Sequence, residues 1–189
     1  MGCNVCRPSG NCANPTGAGG AQQHVDRLPD WLGSRTVTND DIARAILDAG
    51  IYVVLATADA DGVPWASPVW FAKDDYRELY WVSYPGARHS QNIAVRPEVA
   101  LVVFDSTVPP GTGQAVYMTA TAEQLTDAAA IEHGIGIFSR ESVRQGAAEG
   151  WVSDRVTGEA RLRLYRANVH EYSILDPDVP FDVRVDVRP

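Results

Sequence analysis

The feature that most constrains the fold is a pair of extended segments joined by a tight turn near residue 60. Residues 51–57 form a run rich in β-branched and apolar side chains, the turn at 59–62 ends in glycine, and a second extended run covers about 63–73. Strands joined by so short a turn pair antiparallel. Pro68 lies inside the return strand, which predicts an edge strand or a bulge there, because proline lacks a backbone donor.

The rest of the chain divides into further short extended segments and a few helical ones. The extended segments are residues 78–83, 98–105, 114–125 and about 160–175, and the helical segments are about 38–50, 88–95 and 127–150. Thr38 and Asp41 have the spacing of a helix capping box, and Pro97 follows the second helix. Short antiparallel strands with few helices predict a small β-barrel capped by helices rather than a doubly wound sheet.

The first 36 residues differ from the rest in composition. They are rich in glycine, asparagine, proline and alanine, so they offer little apolar surface to offset the entropy of ordering. We therefore predict a flexible tail over residues 1–36 and one domain over residues 37–189. A chain of 189 residues that is 45% hydrophobic can build one sizeable core.

The three cysteines, Cys3, Cys6 and Cys12, all lie in this tail. Their spacing, with His24 as a fourth ligand, leaves open a zinc or iron–sulfur site. The Met1-Gly2-Cys3 start leaves open an acylation signal, although Cys6 stands where serine or threonine is expected. The favoured interpretation is an unstructured tail with reduced thiols, and no metal site is predicted.

Charge and hydropathy exclude several function classes. The net charge is −8 and the pI about 4.9, which disfavours binding to nucleic acid or to an anionic membrane. No apolar run reaches membrane-spanning length, and the start of the chain lacks the pattern of a secretory signal. We expect a cytoplasmic protein with neither a nucleic-acid partner nor a membrane partner.

Several local motifs, taken in order, point to a known family. They are Asp61-Gly62-Val63-Pro64, Ser67-Pro68-Val69-Trp70-Phe71, Leu79-Tyr80-Trp81-Val82-Ser83, Arg88-His89-Ser90-Gln91-Asn92-Ile93, Arg96-Pro97-Glu98-Val99-Ala100-Leu101 and Gly113-Gln114-Ala115-Val116-Tyr117. In order and spacing the chain resembles the pyridoxamine 5′-phosphate oxidase-like, FMN-binding split-barrel superfamily over about residues 38–176. The resemblance implies a six-stranded antiparallel split β-barrel of Greek-key type, mainly β with flanking helices, that forms a homodimer with two flavins in grooves between the subunits.

The resemblance also implies where the flavin phosphate is held, namely in the segment from Ser83 to Asn92. Elementary physics supports this segment, because a helix that starts after Pro85-Gly86 offers free N–H groups to an anion. Arg88 adds a permanent charge, and Ser83 and Ser90 add hydroxyl groups. The full set of residues that we expect near the cofactor is Trp65, Ser67, Pro68, Val69, Trp70, Ser83, Arg88, His89, Ser90, Asn92 and Gln114.

The sequence also departs from the oxidase proper. Ser67 stands where the oxidase tends to have arginine, and His89 stands where it tends to have lysine. The chain ends in Arg188-Pro189 without an Arg-Leu-x-Pro pattern. These differences argue against activity on a vitamin B6 phosphate, and they leave Arg88 and His89 as the expected phosphate contacts.

The function that the resemblance implies is that of an FMN-dependent oxidoreductase. It would transfer electrons between a small substrate or reduced nicotinamide and the flavin, while the protein orients the ring. No motif for nucleophilic catalysis is present, and the catalytic residues are not assigned. Two alternatives stay open: the same fold with a deazaflavin coenzyme or haem, and a flavin-binding, stress-related protein without turnover.

Overall fold

A computed structural model of the chain describes residues 36–179 and 181–189. The predictions for the tail, including those for Cys3, Cys6, Cys12 and His24, lie outside the described residues. Within the described residues, three α-helices are present: α1 (Asn39–Ala49), α2 (Arg88–Val95) and α3 (Ala128–Arg144). The eight strands are β1 (Tyr52–Ala58), β2 (Pro64–Trp70), β3 (Ala72–Asp74), β4 (Glu78–Ser83), β5 (Glu98–Phe104), β6 (Ala115–Gln124), β7 (Arg163–Leu175) and β8 (Arg184–Asp186).

All strands belong to one antiparallel sheet that curls back on itself. The order across the sheet is β2-β1-β5-β6-β7-β4-β3, and β8 pairs with β7. The first and last strands of this order, β2 and β3, are separated along the chain by Phe71 alone. The two ends of the sheet therefore lie close together, and the molecule is a split barrel, as predicted.

The number of strands differs from the prediction of six. The expected return strand over 63–73 is interrupted at Phe71, where the chain leaves β1 and joins β4. The short strand β8 was not predicted, because its three residues carry no period of their own and are extended only by pairing with β7. The prediction that Pro68 marks an edge is confirmed, since β2 lies at the end of the sheet order.

Side chains alternate between the inside of the barrel and its outer face. Along β1, Val53 and Leu55 are fully buried, whereas Tyr52 is 62% exposed. The largest stacked pair inside is Trp81 on Tyr165, with ring centroids 5.7 Å apart. Burial of these apolar side chains supplies the main driving force for closing the barrel.

The helices pack on both faces of the sheet: α1 and α2 add Ala43, Leu47 and Ile93 to the inner core, and α3 lies on the outer face. The predicted capping box of α1 is confirmed: Thr38 accepts a hydrogen bond from the Asp41 backbone, and the Asp41 side chain accepts one from the Thr38 backbone. A separate apolar cluster packs α3 against the sheet through Ile135 and Phe138. Among the described residues, no helix is long and apolar enough to cross a membrane.

Candidate functional site

The site is centred on His89, whose imidazole lies between two serine hydroxyls. Ser83 Oγ, at the end of β4, is 2.7 Å from His89 Nε2, and Ser67 Oγ, on β2, is 3.2 Å from His89 Nδ1. A hydroxyl both donates and accepts, so the two serines satisfy either tautomer of the ring. The first turn of α2 thus bridges β2 and β4 on the two sides of the split in the barrel.

The His89 ring is half-buried. Burial lowers the pKa of the imidazole below its ordinary value, because desolvation disfavours the charged form. The ring is therefore neutral near pH 7 in the free protein. An anion placed beside it would stabilise the imidazolium and offset the cost of burial.

The start of α2 is suited to an anion. The residue before the helix is Ala87, which provides no side-chain cap, so the first N–H groups of α2 lack an intrahelical or capping partner. Arg88 follows directly, with its guanidinium 4.6 Å from the centre of the Trp65 ring and 3.7 Å from an Asp59 carboxylate oxygen. The Arg88 side chain is 44% exposed, so it is available to a ligand.

Asn92 and Ser90 are buried on other sides of the same helix. Asn92 Nδ2 donates to Thr57 Oγ1 at 2.9 Å, and Thr57 in turn donates to the Trp65 carbonyl. This buried network holds α2 against the hairpin, so Asn92 positions the helix. Ser90 is only 3% exposed and lines a separate cavity of about 530 Å³ next to Tyr165.

The predicted β2 residues divide between the two faces of that strand. Trp65 Nε1 donates to Ser67 Oγ at 3.0 Å, which joins both side chains to the His89 cluster. Val69 shares that face but is buried in the core. Pro68 and Trp70 lie on the opposite face.

The side chains on that opposite face have separate surroundings. Pro68 lines a groove of about 700 Å³ on the outer face of the sheet. Trp70 contacts Phe138 of α3, at a ring-centroid distance of 5.5 Å, and donates a hydrogen bond to Gln145. In a single chain, therefore, Trp70 faces α3 and does not join the His89 cluster.

Gln114, just before β6, has a buried side-chain oxygen that accepts no hydrogen bond from any described residue. A buried oxygen without a donor is costly unless a ligand or water supplies one. Its predicted role in cofactor binding stays a prediction. The sequence does not single out Thr57 and Asp59 as site residues, because an inward hydroxyl on a strand and an aspartate in a turn have common structural roles.

The family model for pyridoxamine 5′-phosphate oxidase matches residues 40–171, which is most of the chain. The chain belongs to the pyridoxamine 5′-phosphate oxidase-like family. No curated protein matches the chain in sequence.

Solved structures with the same fold are named for different cofactors. A FAD-binding protein from Mesorhizobium loti is 22% identical, covers 70% of this chain and 91% of its own, and has a TM-score of 0.52. A structure named F420 reductase is 20% identical, with coverages of 69% and 94% and a TM-score of 0.51. HutZ, a haem storage protein from Vibrio cholerae, is 20% identical, with coverages of 67% and 87% and a TM-score of 0.54. At these identities the likeness shows the shared split-barrel fold.

Proposed function

We propose that this chain binds FMN in a groove completed by a second copy and acts as an FMN-dependent oxidoreductase. The observation that carries the proposal is the Ser67–His89–Ser83 cluster beside Arg88, at the uncapped start of α2, in a member of this family. The reaction class is electron transfer between a small substrate or reduced nicotinamide and the flavin.

The donors at the site fit a phosphate group. Backbone N–H groups at a helix start and one guanidinium match the oxygen atoms of a phosphate monoester. The two serines hold the His89 ring in place, so little ordering is needed on binding. The indole of Trp65 orients the Arg88 guanidinium by stacking. Asp59, 3.7 Å from that guanidinium, is a weak ion-pair partner that a phosphate would displace.

The outer face of the sheet supplies the reason to expect a second copy. Tyr52 and Phe104 are 62% and 51% exposed and line the apolar groove together with Pro68. Exposed apolar patches of this kind mark interaction surfaces. A second copy on this face would bury the groove against the edge strand β2, whose other face carries Trp65 and Ser67.

When bound, the flavin supplies the electron-transfer chemistry, and the chain supplies binding and orientation. Arg88 and the start of α2 would hold the phosphate. The Trp65 ring, 4.6 Å from the Arg88 guanidinium, would keep that side chain in place. The hydrogen bond from Asn92 to Thr57 fixes the position of α2 relative to the β1–β2 hairpin.

A second candidate keeps the fold and changes the cofactor. In place of the arginine and lysine expected in the oxidase, the chain has Ser67 and His89, so the site carries less positive charge. A weaker phosphate site favours a deazaflavin coenzyme or haem, the cofactors named for two structures of this fold. A flavin-binding protein without turnover is the third possibility.

An absorption spectrum of the purified native protein, with mass analysis of the released ligand, separates these candidates. Bound FMN gives visible bands that bleach with dithionite, whereas haem gives an intense Soret band. For activity, we would measure oxidation of reduced nicotinamide under air, with free FMN at the same concentration as the control. A rate no higher than that of free FMN would remove the enzymatic proposal and leave flavin binding alone.

A further inference from the structure

A second group of polar side chains lies outside the cofactor site, at the opposite end of β4. It consists of Asp74 at the end of β3, Glu78 at the start of β4, and His133 on α3. Glu78 and Ser83 are the two ends of β4, roughly 16 Å apart at the rise of a strand. The group is therefore separate from the His89 cluster.

Two of the three side chains are placed together by strand pairing. Asp74 and Glu78 are directly paired across the β3–β4 hairpin, so their carboxylates leave the same face of it. Like charges placed directly opposite each other on a sheet are destabilising. Such a pair calls for a cation between or beside the two carboxylates.

The third side chain is brought in by a close contact between α3 and β4. Gly134 packs on Tyr80 so closely that a Cβ at position 134 would lie 2.5 Å from the Tyr80 ring. This approach holds the neighbouring His133 over the hairpin, where its Nε2 lies 3.2 Å from an Asp74 oxygen. Two rigid elements thus present three ligand atoms within 4.8 Å of one another.

The surrounding charges leave the group acidic. Arg166 contacts Glu78 at 3.1 Å, and it also pairs with Glu123. One guanidinium therefore pairs with two carboxylates, and Asp74 adds a third negative charge beside them. Tyr80 donates a hydrogen bond to the other Glu78 oxygen, so Glu78 is oriented while lone pairs remain available on both of its oxygens.

We propose that Asp74, Glu78 and His133 bind a divalent transition-metal ion, with zinc as the ion expected. One imidazole nitrogen and two carboxylate oxygens form a ligand set that zinc accepts. Bonds of about 2.0 to 2.2 Å at tetrahedral or octahedral angles place neighbouring ligand atoms about 3 to 3.5 Å apart. The separation of 3.2 Å between His133 and Asp74 already has this length, and a Glu78 oxygen lies within 4.8 Å of both ligand atoms.

The ion would link α3 to the β3–β4 hairpin. It replaces the repulsion between two carboxylates with shared coordination, and its binding free energy adds to the stability of the folded state. Water fills the remaining coordination positions, because the His133 side chain is 61% exposed.

The test measures zinc binding to the full chain by equilibrium dialysis, after carboxamidomethylation of Cys3, Cys6 and Cys12 so that tail thiols do not contribute. The variants are His133→Ala and Asp74→Asn, with His170→Ala as the matched control for an exposed histidine elsewhere. Magnesium chloride is the control for a hard cation that does not need the imidazole. Thermal unfolding with and without zinc is recorded for every variant.

We expect about one zinc ion per wild-type chain, at least tenfold weaker binding for His133→Ala and Asp74→Asn, and no change for His170→Ala. Zinc should raise the Tm of the wild type and of His170→Ala but not that of His133→Ala. Without zinc, the Tm of His133→Ala should stay near that of the wild type, which separates lost binding from misfolding. Equal zinc binding by wild type and His133→Ala, no binding by the wild type at millimolar zinc, or equally tight magnesium binding would each overturn the proposal.

Discussion

Arg88 and His89 are neighbours in sequence but play different parts in the proposed phosphate site. Arg88 is a permanent charge near the surface, steadied by the Trp65 ring and only loosely paired with Asp59. His89 is neutral in the free protein and is fixed by two hydroxyls. The first contributes attraction at any pH, whereas the second contributes charge only when it takes up a proton.

Removing the Arg88 side chain tests the permanent charge. We expect Arg88→Ala to weaken FMN binding by about 1.5 to 3 kcal/mol, the range for a hydrogen bond to a charged group. The measurement is the Kd from quenching of flavin fluorescence. Arg140→Ala, which removes an exposed arginine from α3, is the matched control and should leave the Kd unchanged. If the Kd of Arg88→Ala also stays unchanged, Arg88 does not belong to the site.

The protonation of His89 should make FMN affinity depend on pH. Burial lowers the pKa of the free imidazole, and a bound phosphate dianion raises it in the complex, so binding takes up a proton. By linkage, FMN affinity should rise as the pH falls from about 8 and level off toward about pH 6, where the phosphate itself is half protonated.

Titrations of FMN at several pH values check this dependence. His89→Gln keeps a hydrogen-bonding side chain that cannot be protonated, so its affinity should be nearly flat over the same range. Riboflavin, which lacks the phosphate, serves as the ligand control and should show no slope with the wild type. A slope of equal size with riboflavin would mean that another group titrates.

At the scale of elements, the contact between α3 and β4 depends on one glycine. A Cβ at Gly134 would lie 2.5 Å from the Tyr80 ring and 3.0 Å from a Leu164 methyl group, whereas one at Gly136 would meet only the end of Arg140 at 3.7 Å. Both glycines lie inside the same helix. They form a matched pair that differs in packing alone.

We expect Gly134→Ala to lower the free energy of unfolding by about 1 to 3 kcal/mol, because the added methyl group overpacks a rigid contact. Gly136→Ala should raise it by about 0.5 to 1 kcal/mol, since alanine is the better helix former. Urea denaturation of both variants gives the comparison. Equal effects of the two substitutions would show that α3 adjusts its distance from the sheet.

The elements that the sequence predicted are those whose signals are local. The capping box of α1 and the β-branched, apolar run that forms β1 follow from neighbouring residues, and they are confirmed. The break at Phe71 and the strand β8 arise from pairing with other strands. Such pairing produces no pattern in the neighbouring sequence, so it could not be predicted. Likewise, the motif around His89 indicated an anion site, but the partnership with Ser67 appears only when β2 and α2 are brought together.

At the scale of the whole molecule, one face of the sheet remains apolar and open. Side chains on β1 and β5 alternate, so that Val54 and Val102, which are paired across the strands, share this outer face with Tyr52 and Phe104. The groove on this face is lined mainly by apolar side chains, with Asp105 as a charged residue at its rim. A second copy seated here would bury the patch and complete the groove beside Pro68.

Val102→Asp places a charge at the centre of that face, where association would leave it buried and unpaired. We expect the wild type to be a dimer by light scattering and Val102→Asp to be a monomer that binds FMN at least tenfold more weakly. The barrel should survive, because the side chain points away from the core. Val143→Glu, which puts a charge at an exposed valine on α3, is the control and should remain dimeric with unchanged FMN affinity. A monomeric wild type that still binds FMN tightly would place the whole cofactor site within one chain and contradict the shared groove.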